Sequence, residues 1–247
     1  MRNLMVRIQY DGSDFCGWQV QNGLRTVQSV FQTVLRDVLK ENVPVIGCSR
    51  TDSGVHANDF CVSFRTENMI PCEKLPLALN AKLPPDIAEF DCVQVPEDFH
   101  ARYSCKGKQY RYLILNTPLR DPFLYARALW YKYPLDAEFM NAQAQDYLGT
   151  HDFSAFCAAN TDVVDKVRTV TQCGVRRLPD DGRILEFTVT ADGFLYNMVR
   201  IMVGTLLQMS AGRLEAGSIP SVIATGNREK AGFTADACGL YLNKVLY

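Results

Sequence analysis

No C-x-x-C pair occurs in this chain, no G-x-G-x-x-G and no phosphate loop ending in Gly-Lys-Ser/Thr. The first absence excludes a zinc ribbon and a thioredoxin-type redox site. The others exclude the glycine-rich cradles for dinucleotides and triphosphates; "GSDFCGW" starts like such a loop but has no lysine after its second glycine. "GCSRT" lacks the closing glycine of a serine-hydrolase elbow. No apolar run nears the roughly 18 to 20 residues that a membrane span needs. Histidine is scarce: His56, His100 and His151 lie too far apart for a local metal motif, and each is expected as a hydrogen-bonded loop residue. "MRNLMVRIQY" shows no charged lead, apolar stretch and cleavage site, so no signal peptide is expected. The net charge of −1 provides no global field for a polyanion.

What is present is ordinary globular material with uneven detail. Hydrophobic residues make up 47% and charged residues 21%, enough for a sizeable core and too apolar for long disorder. The nine cysteines are odd in number and irregularly spaced, which suits free thiols in a reducing compartment, and a cytoplasmic protein is expected. Charge is unevenly spread. From His100 to Tyr133 there are seven lysines and arginines against one acid, Asp121, interleaved with eight aromatics. Basic groups alternating with stacking groups fit looped or single-stranded RNA, and equally fit a solvated strand face backed by core aromatics.

The hydrophobic pattern resolves into two similar series. "NLMVRIQY" reads as a strand. Thr26 then caps a helix with apolar positions at Val27, Val30, Phe31, Val34, Leu35, Val38 and Leu39. "VPVIGC" and "DFCVSF" read as strands, a short helix follows near Pro76 to Asn80, and "DIAEFDCVQV" is a strand. This β-α-β-β-α-β order is the ferredoxin-like unit. The second series runs through strands "KQYRYLILN" and "ARALWYKY", a helix from Asp136 to Tyr147 and a hairpin of "VTQCGVRR" with "RILEFTVTA". It closes with a helix from Tyr196 to Met209 and the strand "GLYLNKVLY". The expectation is an α+β protein of two ferredoxin-like halves, 1–105 and 106–247, with antiparallel sheets joined edge to edge around a central catalytic cleft.

Three features remain after the exclusions. "VIGCSRTDSGVHANDF" crowds an arginine, two hydroxyls, an acid and a histidine around Gly54, more than a reversing turn requires. Tyr110 lies on the basic aromatic strand. Arg200 sits on a helix, "YNMVRIMVGTLLQM", whose only polar or small strip is Asn197, Arg200, Gly204 and Gln208. An arginine there is expected to be largely buried and to need a partner, for which any internal carboxylate would serve.

"YDGSDFCGWQVQ", "RTDSGVHA", "LPPDI", "FHARYS", "KQYRY", "THDFSAF", "NMVRIMVGTL" and "GLYL" follow one another as they do in the TruA family of tRNA pseudouridine synthases, which this chain resembles along nearly its whole length. The resemblance implies isomerisation of uridine to pseudouridine in the tRNA anticodon stem-loop, at positions 38 to 40. It implies a homodimer that uses no cofactor; the missing ligand spacings and apolar runs are what leave no metal and no membrane association expected. It matches Asp52 to the catalytic aspartate and Arg50 to the arginine that helps the base out of its stack. Tyr110 matches the tyrosine beside the flipped uridine, and Arg200 the arginine that pairs with the aspartate. Ser49 departs from the pattern, standing where the family usually has glycine. The residues leave open whether Asp52 would attack carbon or act as a base at the sugar. Two other readings stand beside this one: a catalytically silent RNA-binding protein, and a pseudouridine synthase with a shifted RNA target. The first would have no use for an acid at position 52, because a carboxylate repels phosphate.

Overall fold

The computed structural model describes residues 1–159, 161 and 163–247. Its contacts divide the chain into two units, Met1–Lys106 with Tyr241–Tyr247, and Gly107–Leu240. The protein is α+β.

The first unit contains β1 (Arg2–Tyr10), α1 (Val27–Leu39), β2 (Ile46–Gly47), β3 (His56–Thr66), α2 (Leu75–Asn80) and β4 (Ile87–Val95). Its central strand β1 pairs antiparallel with β3 on one edge and β4 on the other, placing Val6 opposite both Val62 and Cys92. β2 pairs antiparallel with the outer edge of β3, giving the order β4-β1-β3-β2 of a ferredoxin-like unit. α1 starts where the apolar spacing starts. Thr26 accepts from Ser29 N–H, Ser29 answers at Thr26 N–H, and Val27, Phe31, Leu35 and Leu39 are buried one turn apart. On the sheet, Leu4, Ile8, Phe60 and Phe64 are buried as well.

The expected strand "VPVIGC" shrinks to Ile46–Gly47. Pro44 has no N–H to give a ladder, and Val43 and Val45 are buried outside any strand, with Val43 O accepting from the Gln32 side chain.

The second unit contains β5 (Gly107–Leu115), β6 (Leu129–Trp130), α3 (Ala137–Ala144), β7 (Gly149–Asp152), β8 (Val167–Arg177), β9 (Ile184–Ala191), α4 (Met198–Ser210) and α5 (Ile219–Thr225). β5, β9, β8 and β7 form an antiparallel ladder in that order, and β6 runs parallel beside β5. Asp136 caps α3 by accepting from Glu138 and Phe139 N–H. Tyr147, fully buried, donates to the carbonyl of Met202 and so fastens the segment after α3 to α4. "ARALWYKY" is a strand for two residues only. Beyond Trp130 the side-chain amide of Asn116 takes the carbonyls of Tyr131 and Tyr133, in place of a ladder.

The final strand β10 (Leu240–Leu246) departs from the expected halves of 1–105 and 106–247. It pairs in parallel with β3, Tyr241 opposite His56 and Leu242 opposite Ala57, and Tyr241–Tyr247 belong with the first unit. Asn58 donates to Asn243, Val245 N–H donates to Asp59, and Tyr247 donates to the carbonyl of Ala101. Among the described residues no helix is long and apolar enough to cross a membrane.

Candidate active site

Between β2 and β3 the chain makes a turn, Cys48 to Val55, that is held by a second loop, Asp11 to Trp18. Trp18 N–H donates to Thr51 O at 3.1 Å, and Gly54 N–H donates to Phe15 O at 3.2 Å. Within the turn, Val55 N–H donates to Asp52 O at 3.2 Å. The glycines of "YDGSDFCGW" thereby gain an explanation unrelated to phosphate. A Cβ on Gly12 would lie 2.0 Å from Val55 O, and one on Gly17, at φ +79, would lie 2.5 Å from Thr51 O. Only glycine lets the two loops approach so closely.

The floor of this turn is buried and joins aromatic rings to a few hydrogen-bonded polar groups. Trp18 stacks on Phe60 with ring centroids 4.2 Å apart. Thr51 and Tyr10 are buried, with hydroxyls 2.8 Å apart. His56 is buried too; its Nδ1 accepts from Gly12 N–H at 3.0 Å and its ring stacks on Tyr241 at 4.5 Å. The carboxylate of Asp11 is 3.2 Å from the same nitrogen and also accepts from Ser13 N–H. Asp52 is half-buried, while Ser53 beside it and Arg50 two residues earlier are exposed. A carboxylate on a fixed turn at the edge of solvent can meet a substrate atom without the turn rearranging.

Ser49 does not take a positive φ; outside glycine only Lys40, Ala126 and Asn197 do among the described residues. The position therefore makes no demand that glycine alone can meet, and the serine hydroxyl donates to Arg50 O at 3.3 Å.

Tyr110 and Arg200 belong to the second unit. Tyr110 lies on β5 opposite Val189, is 6% exposed, and meets Phe194 edge-on at 4.9 Å. Arg200 occupies the first turn of α4. Its Nε donates to Ala235 O at 2.6 Å and its Nη1 to Asn197 Oδ1 at 2.9 Å. Ala235 N–H returns a bond to Arg200 O at 3.1 Å. The segment carrying Ala235 can lie on α4 because residue 204 is glycine; a Cβ there would be 1.8 Å from Phe233 O. Arg200 is half-buried, less enclosed than the helix pattern implies. Its polar strip receives the main chain of this segment, whose carbonyl satisfies part of the guanidinium.

The expected basic strand is less uniform than its sequence. Arg102 and Lys106 are exposed, Lys108 and Arg111 half-buried. Arg111 approaches the buried Glu186 at 3.7 Å, and Arg176 holds the same carboxylate at 2.8 Å. Exposed stacking groups lie further along, at Phe123 and Tyr125, 85% and 80% exposed, while Arg120 covers Trp130 at 4.7 Å.

All three histidines are hydrogen-bonded as expected, but only His100, whose Nδ1 accepts from Arg102 and Tyr103 N–H, lies in a loop; His56 begins β3, and His151, whose Nε2 contacts Leu148 O, lies in β7. Among the described residues no three His, Cys, Asp or Glu side chains group as metal ligands. Sequence reasoning missed Tyr10, and placed Asn197 only as one polar residue of the helix strip. A tyrosine ending an apolar strand reads as core, and nothing in "YNMVR" marks Asn197 as the left-handed residue, φ 62, from which the arginine takes a bond.

The family model described as tRNA pseudouridine synthase matches residues 7–104 and 143–247. "tRNA pseudouridine synthase A" of Acetivibrio thermocellus is 43% identical over 247 residues, covering 100% of both chains. The protein of the same name from Halalkalibacterium halodurans is 44% identical over 97% of this chain and 90% of its own. That of Staphylococcus aureus is 42% identical over 98% of this chain and 90% of its own. Those matches take in the strands and helices of both units and the turn that carries Asp52. The chain belongs to the tRNA pseudouridine synthase family.

Proposed function

We propose that this protein isomerises uridine to pseudouridine in the anticodon stem-loop of tRNA, at positions 38, 39 and 40, with Asp52 as the catalytic carboxylate. The reaction breaks the carbon–nitrogen glycosidic bond, turns the uracil and forms a carbon–carbon bond. No electron or group is gained or lost overall, so the chemistry calls for one well-placed carboxylate and a held substrate, with no cofactor.

The observation that carries the reading is the Asp52 turn itself. The carbonyls of Thr51 and Asp52 are both hydrogen-bonded, two glycines clamp the opposing loop, and the carboxylate sits at the solvent edge. Reaching a base in a stem requires extruding it, which costs a few kcal/mol of unstacking. Arg50, exposed and two residues from Asp52, is suited to fill the vacated space or hold a phosphate. Tyr110 is assigned to cover the flipped ring. Arg200, with its guanidinium oriented by Asn197 and Ala235, is assigned to act with the aspartate. The working form is a homodimer in the cytoplasm, with tRNA as its partner.

Asp52→Asn keeps size and much of the hydrogen bonding but removes the charge that could act as nucleophile or base. Pseudouridine formation in transcribed tRNA should vanish while tRNA affinity holds or rises slightly. Single-turnover activity near that of the parent would sink the assignment. Mapping the modified positions in the same product tests the anticodon-stem target.

A further inference from the structure

Tyr10 ends β1, which pairs with β3 on one edge and β4 on the other, so its backbone is fixed by two ladders. Its hydroxyl lies 2.8 Å from Thr51 Oγ1, and the two residues are 5% and 7% exposed. Thr51 is the residue before Asp52. The main chain here is already restrained, since Thr51 O accepts from Trp18 and Asp52 O from Val55. Hydrogen bonds to a carbonyl tolerate a broad range of directions. These bonds hold the turn through its main chain. The hydroxyl pair holds it through a side chain, from the end of β1.

We infer that Tyr10 is a positioning residue for the reaction: through the Thr51 hydroxyl it sets the direction in which Asp52 presents its carboxylate. The inference rests on the reading of Asp52 as the catalytic group. Thr51 directly precedes Asp52 in the chain, so a restraint on its side chain falls on the geometry of the reacting carboxylate and not on the surface that holds tRNA. A misplacement of about 1 Å at a reacting group can cost roughly 100-fold in rate. If the hydroxyl pair served stability alone, removing it would lower the melting temperature and leave the turnover of the folded enzyme unchanged.

Five variants test this in steady-state and single-turnover assays on transcribed tRNA: Asp52→Asn, Tyr10→Phe, Thr51→Val, Thr51→Ser and the double Tyr10→Phe/Thr51→Val. Tyr10→Phe and Thr51→Val are each expected to lower kcat about 10- to 100-fold with KM unchanged. The double variant is expected to be no worse than the poorer single one, because both remove the same contact. Thr51→Ser keeps the hydroxyl and is expected to keep most of the turnover. Wild-type kcat in folded Tyr10→Phe, a rise in KM at constant kcat, or losses that multiply in the double variant would overturn the inference. Should Tyr10→Phe fail to fold, Thr51→Val against Thr51→Ser decides: equal turnover in the two overturns it. Turnover in Asp52→Asn would instead remove the catalytic assignment on which the inference stands. A dead Asp52→Asn beside a fully active Tyr10→Phe removes the inference alone.

Discussion

Glu89 lies on β4 opposite Ile8 with 1% of its surface exposed, and neither carboxyl oxygen has a hydrogen-bond partner among the described residues. Asn80 satisfies only its main chain, accepting from its N–H and donating to its carbonyl. Burial first, and the neighbouring charge of Asp91 second, push the carboxyl up to about 8 from an ordinary value of 4.5. The unfolded chain therefore releases this proton near pH 4.5 while the folded chain keeps it to about pH 8. Across that window folding takes up a proton, so stability falls as pH rises and levels off above it. Glu89→Gln keeps the shape without the titration. The variant should gain over the parent at pH 8, by about 1.4 kcal/mol per unit of raised pKa at most, and the gain should shrink toward pH 4.5. Urea midpoints at the two ends of the range measure it, and an equal gain at both would clear the carboxyl. At this scale the legible residues were those whose type was out of place for their surroundings: Asp52 and Arg50 in a turn, Arg200 on an apolar helix. Tyr10 was illegible because a tyrosine in a strand is in no way out of place. The enclosure of Arg200 was overstated because the helix was considered without the segment that crosses it at Gly204.

Among the elements, α1 was legible to the residue, since apolar period and cap agree on Thr26 as its start. Its end was not legible. Lys40 closes the helix in the left-handed conformation, φ 59, with its N–H bonded to Arg36 O, a place usually held by glycine. Lys40→Gly should raise stability by roughly 0.5–1 kcal/mol through relief of that conformation, less the entropy glycine adds to the unfolded chain. Thermal unfolding checks this, and a lowered midpoint would mean that the lysine side chain contributes more than its backbone costs. Strand β2 and strand β6 were overread, because apolar runs near proline look like ladders until the partner's hydrogen bonds are counted. β7 was overlooked for the opposite reason: "GTHD" has no apolar alternation, and its pairing with β8 alone makes it a strand.

At the scale of the whole molecule, a net charge of −1 leaves affinity for tRNA to local groups. Affinity should fall linearly with the logarithm of salt concentration, and each phosphate contact removed should lower the slope by about 1. Lys106→Ala and Arg102→Ala, both at exposed positions, are expected to do so. Arg111→Ala is expected to change stability more than the slope, since its charge is turned to the buried Glu186 beside Arg176. An unchanged slope in the Lys106→Ala/Arg102→Ala pair would make these charges ordinary solvated groups.

The return of Tyr241–Tyr247 to the first unit bears on how the protein is made. Translation delivers β1 to β4 early, but the strand that lies parallel to β3 and stacks Tyr241 on His56 comes after the whole second unit. At roughly 5–20 residues per second, the first unit waits on the order of 10 s on the ribosome with that edge of β3 uncovered. During this interval the Asp52 turn has its glycine clamp but not the aromatic wall behind His56. An emerging chain would thus carry the Asp52 turn well before it carried the strand that completes the turn's surroundings, so the two arrive as separate events in folding.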